Sequence, residues 1–242
     1  MSAKSERDSI SGPSEVKAMF NAIAPTYDLL NHILSFGLDL RWRDRALALL
    51  EERRGGSFLD IASGSGDLAL GALRLDPRSV VATDFALGML EIFRMKAARR
   101  APAGAVAIVS CDAHRLPFRA ERFDVTMVSF GIRNFADRLG SLREMHRVLR
   151  PGGIAMVLEL TAPTAPVVRQ LYRLYTGCLL PLAGRIVSRS NSAYRYLPES
   201  IANFPEREEF LSTIRQAGFG RTEAHPLNLG IATIFIGRKT SA

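Results

Sequence analysis

Cysteine and histidine are scarce in this sequence. Its 242 residues include two cysteines, Cys111 and Cys178, and four histidines that lie singly along the chain. Two isolated thiols exclude a disulfide framework and lack the spacing of a metal site, so both are expected to be reduced packing residues. This usage fits a cytosolic compartment, and the sequence predicts no bound metal.

Long apolar runs are also missing. No stretch reaches the ~18 residues of a membrane span, and the first fifteen residues lack the apolar core of a secretion signal. Residues 1–15 are therefore expected to be a disordered tail. The chain is 47% hydrophobic, which is enough for one substantial core, so residues 16–242 are predicted to form a single domain.

Basic residues outnumber acidic ones by 32 to 24, which gives a net charge of +8. Clusters at 41–45, 53–54 and 94–100 admit three explanations: nucleic acid, an anionic membrane surface, or solvated helix faces. The basic residues are not interleaved with aromatic side chains on one platform, which disfavours nucleic acid. A membrane surface becomes relevant only if the substrate resides in lipid.

The most informative feature that is present lies in residues 58–67. An apolar run ends in Asp60, a turn with Gly64 and Gly66 follows, and an apolar-periodic segment typical of a helix comes next. This arrangement allows a backbone to approach a nucleoside-containing ligand closely. A second apolar run ends in Asp84, whose carboxylate can accept from two ribose hydroxyls. The pattern predicts an adenosine-type cofactor.

Two cofactors compete for this segment. Gly64, Gly66 and Ala69 fit the dinucleotide fingerprint G-x-G-x-x-A, but Asp60 and Asp67 flank the turn, whereas pyrophosphate favours a helix start without nearby negative charge. S-adenosylmethionine carries a sulfonium and an ammonium, so acids beside it are favourable. The sequence also lacks the Tyr-x-x-x-Lys pair common in dehydrogenases, and no Lys follows the glycines as in a P-loop. These features favour S-adenosylmethionine.

Strands and helices are predicted to alternate through the middle of the chain. This alternation indicates parallel βαβ units with right-handed crossovers. A helix at 206–217 and a closing antiparallel pair of strands within 221–238 complete the pattern. The predicted strands lie near 57–62, 79–84, 105–110, 123–129 and 153–160, and the helices between them at about 67–75, 86–100 and 138–149.

Two segments stand outside the alternation. Residues 16–52 have a helical pattern with breaks at Pro25 and Gly37, which predicts an N-terminal helical cap. Residues 162–205 contain five prolines yet are rich in Leu and Tyr, and are predicted to be a helical insertion packed over the sheet, where a lid would sit.

Four segments carry a more specific resemblance. They are residues 27–37 closing with Trp42, the Ser-Phe-Gly-Ile-Arg-Asn turn at 129–134, residues 147–161, and residues 192–200. Together they resemble the ubiquinone/menaquinone biosynthesis C-methyltransferases over about residues 16–238. The largest departure is Asp39, where that family usually has His, and it bears on substrate preference more than on the reaction.

The resemblance implies an α/β, Rossmann-like class I methyltransferase fold. Such a fold has a seven-stranded, mostly parallel sheet with an antiparallel C-terminal strand, helices on both faces and a helical lid insertion. It also implies S-adenosyl-L-methionine as cofactor and C-methylation of a polyprenylated hydroquinone, either demethylmenaquinol or the ubiquinone-precursor benzoquinol. Two other classes stay open: O- or N-methylation of another small molecule, and a non-catalytic member of a quinone-biosynthesis assembly.

The cofactor contacts implied by the resemblance extend beyond the glycine turn. Asp112 could accept from the adenine amino group, or it could cap the turn that follows it, and both remain open. The predicted contacts are Ser65, Asp84, Asp112, Ala113 and Ser129, together with Asp60, Gly64 and Gly66.

Three residues, Arg133, Asn134 and Tyr27, are the predicted catalytic set. A ring carbon ortho to a phenol becomes more nucleophilic when the phenol loses its proton, and an unperturbed phenol titrates at about 10. Arg133 could stabilise the phenolate, with Asn134 orienting it and Tyr27 closing over the site. The alternative is that Arg133 pairs with a nearby acid and fixes the turn.

A lipid substrate implies a cytoplasmic protein that contacts the anionic inner face of the plasma membrane transiently. Apolar side chains between residues 171 and 180 offer either a surface for a polyprenyl chain or ordinary packing. No nucleic-acid partner is expected. The oligomeric state stays open between a monomer and a homodimer.

Overall fold

Seven strands form a single sheet in the protein's computed structural model, which describes residues 12–163, 170 and 191–241. Across the sheet their order is 3-2-1-4-5-7-6, with strands 1 to 5 parallel and strand 7 antiparallel to both of its neighbours. The predicted sheet is thereby confirmed. The strands are β1 (Ser57–Ile61), β2 (Ser79–Asp84), β3 (Val106–Ser110), β4 (Phe123–Ser129), β5 (Leu149–Leu160), β6 (Arg221–Leu227) and β7 (Ala232–Arg238).

Eight α-helices lie within the described part of the chain. Helices α1 to α3 form the N-terminal cap and break near Pro25 and at Gly37, as the sequence predicts. The helices are α1 (Pro13–Ile23), α2 (Tyr27–Leu34), α3 (Leu38–Ala48), α4 (Asp67–Ala72), α5 (Leu87–Arg100), α6 (Arg138–Val148), α7 (Asn191–Ala202) and α8 (Arg207–Gln216).

Apolar side chains cover both faces of the sheet, which is why the parallel strands are nearly continuous hydrophobic runs. On one face, Trp42 of α3, Leu68 of α4 and Phe93 of α5 belong to one buried cluster. On the other, Met145 of α6 and Phe210 of α8 belong to a second cluster. Helices therefore lie on both faces, and the carboxyl ends of the parallel strands are left to form a site.

Some predicted boundaries are wrong. The first helix begins at Pro13, because proline at a first helical position has no N–H to leave unpaired, so the tail boundary at residue 15 is too late. β5 begins at Leu149, which pairs with Phe123, and not at 153. Pro151 and Gly152 interrupt the local pattern but are accommodated in a register shift between the two pairing segments.

Two of the predicted segments, the tail and the helical insertion, lie partly outside the described residues. Residues 1–11 of the predicted tail, and the part of the predicted insertion that carries the apolar residues 171–180, lie outside the described residues. Within the described part, no helix has the length and apolar character needed to cross a membrane. That part also contains no group of three or more His, Cys, Asp or Glu side chains arranged to hold a metal.

Candidate active site

A cleft opens at the carboxyl ends of β1, β2, β3 and β4, where ligands bind in open α/β sheets. It has two adjoining regions whose empty volumes, including space open to solvent, are ≈ 520 and ≈ 450 Å³. The outer region is lined by Asp112, Ala113 and His114, and the inner region by Tyr27, Gly64, Ser129 and Phe130. Both regions share Ala62, Asp84, Phe85, Asn134 and Phe135, so the cleft is continuous.

Asp84 anchors the glycine turn at the centre of the cleft. Its Oδ2 accepts from the Gly64 amide at 2.8 Å and its Oδ1 accepts from the Ala86 amide at 2.8 Å. A carboxylate has about four acceptor positions, so each oxygen keeps capacity for a hydroxyl donor. Burial raises the pKa of Asp84 above its ordinary value, while the amides of Ala86, Gly64 and Phe85 oppose that shift.

Gly66 is required for the turn to pack against the sheet. Its φ is +88°, and a Cβ there would overlap the Phe93 ring from α5. A side chain at this position would therefore be both strained and obstructed. Gly66 supports the cleft from beneath and does not line it.

Asp60 lies fully buried at the end of β1. Neither carboxylate oxygen has a hydrogen-bond partner of good geometry among the described residues. Burial raises the pKa of Asp60 well above its ordinary value, and Asp84 and Asp67 add to the rise, whereas Arg43 and the Ala69 amide oppose it. Burial therefore favours the neutral carboxyl in the cofactor-free protein, and the group lies behind the cleft.

The second acid that flanks the turn, Asp67, is already paired. Lys96 Nζ contacts Asp67 and lies 2.8 Å from Asp28 Oδ2, and Ser65 Oγ donates to Asp28. The negative charge at the turn is thus lower than the sequence argument assumed. The hydroxyl of Ser65 faces α2, so the contact that Ser65 offers to the cleft is confined to its backbone.

Asp112 lies at the outer edge of the cleft. Its Oδ1 accepts from the backbone amide of His114 at 2.9 Å and contacts His114 Nδ1 at 2.6 Å. Because Asp137 N–H donates to His114 Nε2, that nitrogen is unprotonated and Nδ1 carries the proton that Asp112 accepts. Burial acts to raise the pKa of Asp112, but the His114 bonds prevail and lower it. The turn-capping alternative is therefore observed, and the other oxygen remains available to a ligand.

Tyr27 and Asn134 bring the N-terminal cap and the later part of the chain to the inner region. The Tyr27 ring lies against Gly64, and its hydroxyl is close to Arg133, Arg43 and Asn31. Burial raises the pKa of Tyr27, while both arginines oppose the shift. Asn134 Oδ1 accepts from the Tyr196 hydroxyl at 2.9 Å, so α7 reaches the same site.

Arg133 is held in a buried ion pair. Its Nη1 donates to Glu159 Oε1 at 2.6 Å and to the Phe130 carbonyl at 2.6 Å, and its Nε donates to Ser200 Oγ at 3.3 Å. Among the described residues, no hydrogen bond uses Nη2. Burial acts to lower the pKa of Arg133, but Glu159 and Tyr27 raise it above its ordinary value, so the group stays charged. These contacts are those of the turn-fixing alternative, and they also hold the guanidinium rigidly.

Asp39 lies away from both regions of the cleft. It is buried, and it accepts from Ser35 Oγ at 2.7 Å, Arg43 Nη1 at 2.6 Å and His32 Nδ1 at 2.9 Å. Arg43 in turn lies over the Phe130 ring, 5.1 Å from its centroid. Asp39 therefore organises the cap and reaches the cleft indirectly, through Arg43.

Two non-glycine residues adopt left-handed backbone conformations at the base of the cleft. Ala62, after β1, has φ +52°, and Phe130, after β4, has φ +56°. A Cβ on Gly131 would come 2.9 Å from the Ala62 Cβ, so the two turns pack closely. Such strain costs roughly 1–3 kcal/mol per residue and is typical of functional sites.

The predicted residues divide into two groups. Asp60, Ser65, Gly66 and Arg133 support the cleft without lining it, whereas the following line it: Tyr27, Gly64, Asp84, Asp112, Ala113, Ser129 and Asn134. The sequence argument missed Phe85, Phe135 and His114. Phe85 had a usable signal because it follows Asp84 at the end of β2, whereas Phe135 and His114 carry no motif.

The residues present fit S-adenosylmethionine. Asp84 has acceptor capacity for the ribose, and Gly64 leaves the turn open.

Known proteins are similar to this chain along most of its length. The profile of the ubiE/COQ5 methyltransferase family matches residues 3–239. The chain is 40% identical over 227 residues to the ubiquinone/menaquinone biosynthesis C-methyltransferase UbiE of Geotalea daltonii, covering 93% of this chain and 96% of the relative. It is 38% identical over 226 residues to the demethylmenaquinone methyltransferase of Bacteroides fragilis, covering 93% and 92%.

A solved structure supports the fold alone. A SAM-dependent methyltransferase from Thermotoga maritima superposes with a TM-score of 0.62 at 18% identity, covering 92% of this chain and all of that one (100%). The sequence relatives show the family as well as the fold, because both their identity and their coverage are high. The chain belongs to the ubiE/COQ5 methyltransferase family.

Proposed function

We propose that this protein transfers the methyl group of S-adenosyl-L-methionine to a ring carbon of a polyprenylated quinol in quinone biosynthesis. The substrate is demethylmenaquinol or the ubiquinone-precursor benzoquinol, as the names of the relatives indicate. One observation carries the proposal: a single cleft joins Asp84 to the turn that holds Arg133 and Asn134. Cofactor and acceptor ring can therefore meet at the strand ends.

The residues around the cleft have distinct tasks. Asp84 accepts from the ribose hydroxyls, Tyr27 covers Gly64, and the buried Asp60 supports the glycine turn from the end of β1. Bound S-adenosylmethionine supplies a methyl group that is already activated on a sulfonium, so the protein mainly provides alignment. Arg133 lies beside the cleft, on the turn that supplies Asn134 to it, and is held through Nη1 and Nε, which leaves Nη2 to donate to a phenolic oxygen that reaches this turn. A fixed donor of this kind stabilises developing charge without reorganisation.

Methyl transfer forms one carbon–carbon bond and breaks a carbon–sulfur bond and a carbon–hydrogen bond. The ring carbon ortho to the phenolate forms a bond to the methyl carbon while the carbon–sulfur bond breaks, and its electron pair stays on sulfur. The ring hydrogen then leaves as a proton to solvent water, which restores the aromatic ring. Asn134, positioned by the Tyr196 hydroxyl, orients the acceptor ring.

We also propose that the protein is cytoplasmic and contacts an anionic membrane surface while collecting its substrate. Leu29, Ile33 and Leu40 on the cap are 45% exposed or more, and the exposed Arg41 directly follows Leu40 on α3. Exposed apolar side chains beside basic ones suit a lipid interface. The net charge of +8 supports the same attraction.

The decisive experiment supplies a demethylated quinone in reduced and oxidised form with S-adenosylmethionine, and analyses the product by mass spectrometry. An electron-rich quinol should gain one ring methyl, whereas the electron-poor quinone should not react. A methyl on oxygen would support an O-methyltransferase instead. Cofactor binding without methylation of either form would favour a non-catalytic member of an assembly.

A further inference from the structure

Helix α2 covers the glycine turn, and none of its described side chains is buried. Tyr27 packs partly against a small cluster of Ala24, Ala86 and Met89, whereas Leu29 and Ile33 are 57% and 51% exposed. The next helix, α3, buries Trp42 and Leu47. Buried apolar area is the usual source of attachment for a helix. Because the described side chains of α2 bury little of it, polar contacts are needed to hold this helix in place.

Those other contacts are polar and converge on Lys96 of α5. Lys96 Nζ lies 2.8 Å from Asp28 Oδ2 on α2, contacts Asp67 Oδ1 at the start of α4, and lies 3.3 Å from Ser65 Oγ. The side chains of Lys96, Asp67 and Asp28 are 14, 12 and 28% exposed. One ammonium therefore bridges a carboxylate of the cap and a carboxylate of the glycine turn in a partly dry environment.

Because of this bridge, the polar attachment of α2 to the glycine turn depends on a single charge. Burial acts to raise the pKa of Asp28, but Lys96 and Ser65 prevail and lower it, so Asp28 is ionised. Two carboxylates that share one cation repel each other when that cation is removed. His32 adds only a weaker contact, with Nε2 3.9 Å from Asp67 Oδ2.

We propose that Lys96 is a positioning residue that latches α2 over the glycine turn and thereby holds Tyr27 in the inner region of the cleft. Asp28 directly follows Tyr27, and the Tyr27 ring lies against Gly64. Lys96 is not among the residues that line the cleft, so it acts through Asp28. The consequence for methyl transfer rests on the proposed function, whereas the latch itself does not.

Hydrogen exchange of the full-length, cofactor-free protein tests the latch. In Lys96→Met, amides of 27–34 should exchange at least tenfold faster than in the wild type, while those of 38–48 stay unchanged. Lys96→Arg should keep both carboxylates bridged and retain slow exchange. Arg99→Met, on the exposed face of α5, is the matched control and should have no effect.

A second variant separates charge repulsion from lost packing. In Lys96→Met/Asp28→Asn, the repulsion is removed while the Asn carbonyl can still accept from Ser65, so most of the slow exchange should return. Kinetically, Lys96→Met should raise KM for S-adenosylmethionine severalfold, and Lys96→Arg should restore it. The proposal is overturned if 27–34 exchanges at the wild-type rate in Lys96→Met, or if 27–34 and 38–48 accelerate together. Selectively faster hydrogen exchange of 27–34, in a protein that methylates no quinol, would support the positioning role of Lys96 and contradict the proposed function.

Discussion

Glu159 accepts two hydrogen bonds from Arg133, at 2.6 Å from the guanidinium Nη1 and at 3.1 Å from the backbone amide. Its carboxylate also accepts from the Leu160 amide at 2.8 Å and is fully buried. The pair ties the end of β5 to the turn after β4. Because a buried ion pair fixes the guanidinium in place, the structural and chemical roles of Arg133 can be separated by experiment.

Arg133→Ala should lower the free energy of unfolding by about 3–5 kcal/mol, because it leaves the buried Glu159 carboxylate without its cationic partner. Arg133→Ala/Glu159→Gln should recover much of that loss in urea melts. If Arg133 stabilises the phenolate, the double variant should still turn over roughly a hundredfold more slowly or worse, with nearly unchanged cofactor affinity. Wild-type turnover in the double variant would assign Arg133 a structural role alone.

S-adenosylmethionine should raise Tm and NAD should not, because a ligand stabilises only the state that binds it. At a hundredfold excess over Kd the stabilisation is about 2.7 kcal/mol. Asp84→Asn should reduce the ligand-induced shift markedly, since the carboxylate is the proposed ribose acceptor. Asp44→Asn, which removes an exposed carboxylate outside the cleft, should leave the shift intact. A shift seen only with NAD would contradict the cofactor assignment.

Asp60→Asn should change how stability depends on pH. The folded-state pKa of Asp60 is raised, so its favourable contribution is complete below the unfolded value of about 3.9 and is lost as pH rises through the folded pKa. Asn does not titrate, so the Tm of Asp60→Asn relative to the wild type should increase from about pH 5 to about pH 8. The stabilisation should reach roughly 1 kcal/mol, while cofactor binding weakens. A pH-independent Tm difference would show that Asp60 keeps one protonation state over this range.

Local signals were sufficient for much of the fold. β1, β2 and β4 are mostly apolar runs that end at Ile61, Asp84 and Ser129, and the sequence predicts the bounds of each to within one residue. The start of β5 was missed because pairing of Leu149 with Phe123 depends on a partner strand, which local sequence does not specify. Tertiary pairing thus overrides the turn residues Pro151 and Gly152.

The site residues also divide into those that local sequence predicts and those that depend on tertiary contacts. Gly64 and Asp84 were predictable because strand, turn and acid lie close in sequence. The partners of Arg133 and Lys96 were not, because Glu159 and Asp67 are 26 and 29 residues away and are brought near only by helix and strand register. Sequence therefore identified the cleft better than it identified the charges that each side chain meets there.

Asp39→Asn should lower stability by about 3 kcal/mol, because it leaves Arg43 buried without its carboxylate. Burial acts to raise the pKa of Asp39, but Ser35, Arg43 and His32 prevail and lower it. Its contribution is therefore present above about 3.9 and is lost as pH falls through the folded value, so the variant and wild type should converge in acid. Asp44→Asn on the same helix is the exposed control. Because Asp39 does not line the cleft, KM for the quinol should stay within about twofold at neutral pH, and a larger change would implicate Asp39 in substrate preference.

Vesicle binding should depend on the cap. Arg41→Ser, on α3, should weaken binding to anionic vesicles by about fivefold, since each basic residue near such a surface contributes about 1 kcal/mol. Arg143→Ser removes the same charge from α6 on the opposite face of the sheet, so binding should be retained. Ile33→Ser should weaken binding without altering the salt dependence, because it removes apolar area and no charge. Co-sedimentation at low and high salt measures all three: attraction that fades with salt fits a charged interface. Equal losses for Arg41→Ser and Arg143→Ser would instead indicate a nonspecific effect of net charge.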